Sequence, residues 1–254
     1  MNDAELKRAR EAYSYIPAKL TRAREGGDSA IQWKDLRLSS SVPPSDWYSD
    51  VTKRQSFSSM ELDNFHSALL ASDDPQELLH GLLSVVFWGY VSGTDGNIRE
   101  ARALKRTCWH LRGKANSSPQ MPLEIILHLE NARELLEEAQ IGDALIEVMR
   151  IKFLGMAFGS KVLAFMNSKV AAVYDEVISL RLEGHSNPTL SRLANGVKLT
   201  RKVDQANLYA DWCGWCFEKA RTINAAGVLW RDWNGADNAW RAVDAERAFY
   251  ALGR

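Results

Sequence analysis

The sequence has little of three things that would classify it quickly: net charge, cysteine and long apolar runs. Lysine and arginine number 32, and aspartate and glutamate also number 32, so the formal net charge of the 254 residues is zero. The longest apolar candidates, Leu82 to Val91 and Val162 to Met166, are far shorter than the roughly 20 residues of a membrane-spanning helix. We therefore predict no membrane contact, and the zero charge argues against a uniformly basic nucleic-acid-binding protein.

The scarcity of cysteine bears on the compartment. Three cysteines, an odd number, do not fit a disulfide framework. The first residues, Met1 to Arg8, have an amphipathic helical pattern and lack the apolar run of a signal peptide. We predict a cytoplasmic protein that is a monomer without an obligate protein partner. Its 46% apolar and 25% charged residues are ordinary, which excludes a disordered, collagen-like or rod-like chain.

Helical spacing of apolar residues dominates the sequence, and sustained period-two alternation is absent. Prolines begin two of the helical patterns, at Pro75 after an aspartate and at Pro122. We predict an all-α, multi-helix fold without an internal repeat. The polar loop from Ser39 to Asp46 contains two prolines. It predicts a division into an N-terminal helical extension, residues 1–46, and a main domain, residues 47–254.

The charges are unevenly distributed along the chain. From Val148 to Tyr174, 27 consecutive residues include no acid, although 32 acids are scattered through the chain. The bases of this window are Arg150, Lys152, Lys161 and Lys169. A second basic cluster, with only Glu100 opposing it, consists of Arg99, Arg102, Lys105, Arg106, Arg112 and Lys114. A chain that is neutral in sum can therefore still present basic faces to DNA.

A glycine-containing turn lies within the acid-free window. The pattern predicts a helix that ends at Leu154, a turn from Gly155 to Gly159, and a second helix that begins near Ser160. Glycines allow positive φ and close backbone approach, and free amides at a helix start bind phosphate. An ordinary turn between helices is the alternative. The acid-free window, Lys161 and Asp175 together favour the phosphate site.

This segment resembles the helix-hairpin-helix DNA glycosylases. That superfamily commonly has Leu-Pro-Gly-x-Gly-x-Lys at the hairpin, and Ala157-Phe158-Gly159-Ser160-Lys161 matches its last five positions with Ala157 in place of the first glycine. Ala172-Val173-Tyr174-Asp175 is similar to the segment that carries the superfamily's catalytic aspartate, although the spacing from lysine to aspartate is shorter than in many members. Trp240 to Ala248 looks like the closing helix of a bacterial group with the 8-oxoguanine glycosylase fold. The resemblance covers roughly residues 60–254.

The resemblance implies a DNA N-glycosylase that flips a modified base out of the duplex and excises it. Asp175 would stabilise positive charge on the sugar as the bond from C1′ to the base breaks. Lys161 would attack C1′ and form a Schiff base that permits strand cleavage, an AP lyase activity that some members lack. The alternative role of Asp175 is that of a helix N-cap, and the alternative for Lys161 is that of a solvated surface lysine. The bacterial group suggests either repair of oxidised guanine or antiviral defence against a base peculiar to phage DNA, and the sequence leaves both open.

Further site residues follow from the same resemblance. The residues expected to contact DNA are Gly155, Ala157, Gly159, Ser160, Lys152 and Lys169. A flipped base needs an aromatic pocket, for which the candidates are Trp88, Trp109, Trp212 and Trp215. No cofactor and no metal site are predicted, and a monovalent cation at the hairpin is left open as an alternative. Three cysteines cannot ligate the four-cysteine iron–sulfur cluster of some relatives.

Two other functions compete with catalysis on DNA. One is a non-catalytic helix-hairpin-helix module that only contacts phosphates. The other is a thiol redox protein, because Cys213-Gly214-Trp215-Cys216 is similar to a thioredoxin active site. No apolar strand precedes this motif, and no proline follows Pro188. The same pair with Cys108 and His110 is a weak zinc candidate, and we favour buried, helical cysteines.

Overall fold

The computed structural model describes residues 2–13, 18–22, 47–51, 58–91 and 99–252. Helices dominate these residues, which confirms the predicted all-α, multi-helix fold. The helices are α1 Asp3–Ala12, α2 Ser59–Leu70, α3 Pro75–Val91, α4 Glu100–Arg112, α5 Pro122–Glu137, α6 Ile141–Val148, α7 Met156–Met166, α8 Glu176–Leu182, α9 Pro188–Ser191, α10 Lys202–Ala225 and α11 Ala242–Ala251. A short 3₁₀ helix, Gly196–Lys198, lies between α9 and α10. None of the described helices is long and apolar enough to cross a membrane.

Two small antiparallel strand pairs, which the helical pattern did not predict, accompany the helices. β1, Ala18–Arg22, pairs with β2, Trp47–Val51. β3, Trp230–Arg231, pairs with β4, Asp237–Asn238, around a turn in which Gly235 has a φ of 85°. The Asn-Gly dipeptide in that turn is a known hairpin signal, but strands of two residues are too short to show alternation.

Helix starts follow the capping rules. The hydroxyl of Ser58 accepts a hydrogen bond from the Glu61 amide at 2.9 Å, and the Glu61 carboxylate accepts one from the Ser58 amide at 2.7 Å. This reciprocal capping box fixes the start of α2. Asp74 caps α3 by accepting from the Gln76 amide at 2.8 Å, as the aspartate before Pro75 predicts.

The chain forms two compact units. The first comprises Met1–Ser14, Asn131–Arg150 and Leu154–Arg254, and the second comprises Tyr15–Glu130 and Ile151–Phe153. The predicted division at residue 46 stays a prediction, because residues 14–17 and 23–46 of that extension lie outside the described part of the chain.

In the first unit, a buried ion cluster joins α1 to α11. The Asp244 carboxylate is completely buried and lies 2.9 Å from Arg10 and 2.7 Å from Arg241, with Arg247 at 3.9 Å. Burial opposes its ionisation, but Arg241 and Arg10 outweigh burial and hold the pKa of Asp244 well below its ordinary value. The guanidinium of Arg10 also lies 3.6 Å from the ring centroid of buried Trp230. Residues more than 200 positions apart therefore share one core.

In the second unit, buried polar groups attach β1 to α3. The Leu20 amide donates to the Ser84 hydroxyl at 2.9 Å, and His80 donates to the Leu20 carbonyl at 2.7 Å. The ring of His66 lies 3.1 Å from the same hydroxyl, and burial lowers the pKa of His66 to about 4. These bonds satisfy backbone groups that burial would otherwise leave unpaired.

Candidate active site

The turn before α7 differs from its prediction. α6 ends at Val148, not Leu154, and α7 begins at Met156, not near Ser160. Gly159 lies inside α7, where its amide donates to the Gly155 carbonyl at 2.8 Å. The glycine packs closely against α6, because a Cβ there would lie 3.0 Å from the Leu145 side chain. Positive φ occurs at Phe153, at 70°.

The N-terminus of α7 keeps the character of an anion site. Its N-cap, exposed Gly155, provides no side-chain hydrogen bond, and its first turn contains no acid. Ala157 lies in that first turn and is half-buried. The first amides of a helix point outward with partial positive charge, so they can donate to a phosphate oxygen.

Buried hydrogen bonds hold the segment before α8 against α7. The Ser160 hydroxyl accepts from the Tyr174 amide at 2.9 Å and lies 3.1 Å from the Tyr174 carbonyl oxygen. The Tyr174 hydroxyl donates to the Leu193 carbonyl and accepts from the Gly196 amide at 3.0 Å, and burial raises the pKa of Tyr174. The Ser160 side chain is completely buried, so the DNA contact predicted for Ser160 does not involve its hydroxyl.

Lys161 and Asp175 meet as a direct ion pair. The Lys161 Nζ lies 2.9 Å from Asp175 Oδ2, and their side chains are 12% and 21% exposed. Asp175 is the N-cap of α8, with Oδ1 accepting from the amides of Val177 and Ile178 at 3.1 and 3.3 Å. Burial disfavours the charged form, but the Lys161 ammonium and these hydrogen bonds outweigh it and lower the pKa of Asp175. The carboxylate is therefore ionised, caps α8 and is largely buried.

The structure adds a second carboxyl, Glu246, that sequence reasoning missed. It lies in α11, is 3% exposed, and feels the charges of both Asp175 and Lys161. Burial, which outweighs the opposing effect of Arg247, raises the pKa of Glu246 to about 8. No local motif distinguishes Glu246, because its position depends on how α11 packs 85 residues beyond Lys161 in sequence.

Aromatic residues of the same unit lie beside the Asp175 segment. Trp212 in α10 is completely buried and donates to the Val173 carbonyl at 2.9 Å. Half-buried Trp215 stacks on it with 5.4 Å between centroids and 10° between planes. Phe249 of α11 meets both indoles edge-on at 5.5 and 5.9 Å. Of these two indoles, only Trp215 has surface available to a base.

The other two tryptophan candidates belong to the second unit. Trp88 of α3 is buried, with 9% exposure. Trp109 of α4 is half-buried and lies 6.3 Å from Phe153 between ring centroids. The cations of Arg106 and Lys114 lie 4.8 and 5.7 Å from its ring.

The second basic cluster is concentrated on one face of α4. Residues at three- and four-residue spacing share a helix face, and this rule groups Arg102, Lys105, Arg106, Trp109 and Arg112. All five are exposed or half-buried, whereas Ala103, Thr107 and Leu111 on the other side are buried. The face is cationic and aromatic, which suits contact with DNA phosphates and bases.

The two lysines predicted to contact DNA are both exposed. Lys152 donates to the Ser118 carbonyl at 3.2 Å, and its amide donates to Gln120 at 2.9 Å. Lys169 follows α7, and its carbonyl accepts from the Ala242 amide at 3.3 Å. Both ammonium groups are therefore accessible to a phosphate.

The cysteine motif does not have a redox environment. Cys213 and Cys216 are reduced, completely buried and in the middle of α10. Burial raises the pKa of Cys213 to about 12 and that of Cys216 well above its ordinary value. A redox cysteine needs an accessible thiolate, so these thiols behave as core groups. Among the described residues, no three His, Cys, Asp or Glu side chains are grouped to hold a metal ion.

Comparison with known proteins identifies one family. The family described as "Putative 8-oxoguanine DNA glycosylase OGG-like protein" matches residues 28–238, which is most of the chain. No curated protein and no solved structure matches.

Proposed function

Because the chain belongs to the OGG-like family of DNA glycosylases, we propose that it excises a modified base from DNA, with Asp175 and Lys161 at the reacting sugar. The observation that carries this proposal is the ion pair itself. A carboxylate and an amine lie 2.9 Å apart, partly buried, at the start of α8. Both chemical groups that base excision and strand cleavage require therefore occupy one recess.

Asp175 is suited to stabilise the breaking glycosidic bond. Positive charge develops on the sugar as the base departs with the bonding electrons, and an adjacent carboxylate lowers the energy of that state. The lowered pKa of Asp175 keeps the carboxylate ionised at neutral pH. Its Oδ1 is held by two amides of α8, so the charge is fixed in direction before the substrate arrives.

Lys161 is suited to capture the sugar. When its amine has lost a proton, the nitrogen lone pair attacks C1′ and the bond to the base breaks. The bond from C1′ to O4′ then opens with its electron pair on O4′, which takes up a proton, and the protonated Schiff base that remains at C1′ permits β-elimination of the 3′ phosphate. Asp175, in contact with Nζ, is also placed to exchange a proton with this amine.

DNA would approach the open start of α7. The uncapped amides near Gly155 and the exposed ammonium of Lys169 offer phosphate contacts in the same unit as the ion pair. Trp215, stacked on Trp212, offers a flat surface for the flipped base. We propose that the base is either an oxidised guanine, in repair, or a phage-specific modified base, in antiviral defence.

Duplexes that each carry one modified base test the activity. The protein is incubated with duplexes containing 8-oxoguanine, 5-hydroxymethylcytosine or glucosylated 5-hydroxymethylcytosine, and alkali then reveals abasic sites as strand breaks. Breaks with wild type and none with Asp175→Asn support the proposal. The matched control is Glu176→Gln, because Glu176 is exposed and adjacent and loses the same charge. Equal cleavage by Asp175→Asn contradicts the catalytic assignment.

Borohydride trapping tests the amine separately. Reduction of a Schiff base joins the protein covalently to DNA, and the adduct should disappear in Lys161→Ala while Lys198→Ala, at an exposed lysine of the same unit, retains it. An adduct that persists in Lys161→Ala assigns the amine to another residue. Steeply salt-dependent binding without any base excision would instead indicate the non-catalytic DNA-binding module.

A further inference from the structure

α11 contains a buried carboxyl group, that of Glu246, to which the proposed reaction assigns no role. Glu246 is 3% exposed, and the neighbouring Asp244 uses the arginines of that region as its ion partners. An ionised carboxylate in such an environment costs free energy, so a buried glutamate is kept uncharged unless it is paired. An uncharged carboxyl can donate a proton or a hydrogen bond, which Asp175 cannot do.

The charges of Lys161 and Asp175 both act on Glu246, and the contacts at the start of α11 are consistent with that position. The amides of Ala242 and Val243, at the start of α11, donate to the carbonyls of Lys169 and Ser168, just beyond the end of α7. Val243 packs with Ala164 and Val173 in one apolar cluster. Glu246 is one turn after Val243, and Lys161 is one turn before Ala164. The contact of Val243 with Ala164 therefore lies one helical turn from each of the two residues.

The same face of α11 leads to the aromatic group. Phe249 lies one turn after Glu246 and contacts both Trp212 and Trp215 edge-on. Glu246 is therefore on a helix face between Val243, which contacts the core of α7, and Phe249, which contacts the Trp215 stack. A base held on Trp215 with its sugar at Asp175 would lie along this face.

We propose that Glu246 is a catalytic residue that hydrogen-bonds the flipped base and donates its proton to that base as the bond to C1′ breaks. The inference rests on the proposed glycosylase function. The C1′–N bond breaks with its electron pair on the base, the proton of Glu246 neutralises the base, and the sugar carbon bonds to the Lys161 nitrogen or to water. Water then returns a proton to Glu246.

The charges around Glu246 are compatible with this role. Arg247 on α11, Lys161 on α7 and Arg10 on α1 favour its ionised form, whereas Asp175 and burial oppose it. The thiols of Cys213 and Cys216 on α10 also face it. Burial is the largest of these influences and, with Asp175, outweighs the cations, so the pKa of Glu246 is raised to about 8, which is suitable for a proton donor near neutral pH.

A titration of the wild-type protein tests the uncharged state without a substrate. The side-chain carboxyls are labelled with ¹³C, and the resonance of Glu246 is identified by its loss in Glu246→Gln. The resonance should titrate near pH 8, far above the others. Titration in the ordinary range of glutamates, near 4.5, would overturn the proposal.

Single-turnover excision tests the proton donation. With the duplex that wild type cleaves, Glu246→Gln should slow base release by about 10²–10⁴-fold, because glutamine keeps the shape and hydrogen bonding but carries no transferable proton. DNA affinity should remain unchanged, and Glu176→Gln serves as the control. The wild-type rate should fall above about pH 8, and this alkaline decline should vanish in the variant.

The outcomes separate this inference from the proposed function. If wild type excises a base and Glu246→Gln does so equally fast, the proton-donor role is wrong and the glycosylase function stands. If wild type excises no base, the proposed function fails, and the inference fails with it. A wild-type rate without an alkaline decline also contradicts the inference.

Discussion

Replacing Asp175 by asparagine removes a charge while leaving the start of α8 intact. The carboxylate makes two kinds of contact, with the Lys161 ammonium through Oδ2 and with two α8 amides through Oδ1. Asparagine caps helices as well as aspartate does, so the amide contacts survive the substitution. The variant therefore isolates the electrostatic part of the proposed mechanism from the structural part.

The expected loss can be estimated from Coulomb's law. A unit charge about 4 Å from the sugar, at an effective dielectric constant of about 20, stabilises a full positive charge by about 4 kcal/mol. Each 1.4 kcal/mol is about tenfold in rate, so the upper limit is about 10³-fold. The Lys161 ammonium at 2.9 Å offsets part of this field. We expect Asp175→Asn to slow base excision by about 10²–10³-fold.

Single-turnover excision and thermal unfolding, measured on the same preparations, check this reasoning. Asp175→Asn should lose rate together with the stability that the ion pair with Lys161 contributes. Asp175→Ala should lose a similar rate and about 1 kcal/mol more stability than Asp175→Asn, because alanine cannot cap α8. The argument is refuted if Asp175→Asn retains the wild-type rate. It is also refuted if the loss of rate in both variants follows the loss of folded protein.

Three further predictions concern the groups around the site. Asp244→Asn should destabilise the protein by about 3–5 kcal/mol in denaturant unfolding, because Arg10 and Arg241 remain buried without their counter-charge. An unchanged unfolding midpoint would contradict a stabilising role of the ion cluster. Glu246→Gln should be more stable than wild type, because a raised carboxyl pKa makes wild type lose stability as the pH rises from 4.5 to about 8. The difference in unfolding free energy should grow over this interval to at most about 5 kcal/mol, and a pH-independent difference would contradict the raised pKa. Lys105→Ala on the cationic face of α4 should weaken DNA binding and reduce by about 1 the slope of log binding constant against log salt concentration. The control Arg221→Ala, where the arginine already pairs with Glu218, should keep the wild-type slope, and equal slopes for the two variants would exclude that face as a DNA contact.

Local rules account for most of the helices, whereas the choice of Lys161 and Asp175 came from the resemblance to the helix-hairpin-helix DNA glycosylases. The capping box of Ser58 and Glu61, and the aspartate before Pro75, operate within four residues, so a sequence pattern reveals them. The turn between α6 and α7 was harder to predict from the sequence, because a glycine favours a turn and close helix packing equally well. Gly159 packs close to Leu145 inside α7, and α7 begins at Met156 and not near the predicted Ser160.

The sequence by itself determined the helical class and the acid-free window, since these depend on composition and on short-range spacing, and its resemblance to the helix-hairpin-helix DNA glycosylases pointed to Lys161 and Asp175 as candidates. Only the tertiary structure decided which of those residues meet. It brought Lys161 to 2.9 Å from Asp175, buried Ser160 and Trp212 in supporting roles, and left Trp215 with an available face. It also placed Glu246 beside the ion pair. A net charge of zero reveals none of this, because the energy of a charge depends on its burial and on its neighbours in space, which the packing of α7, α10 and α11 sets.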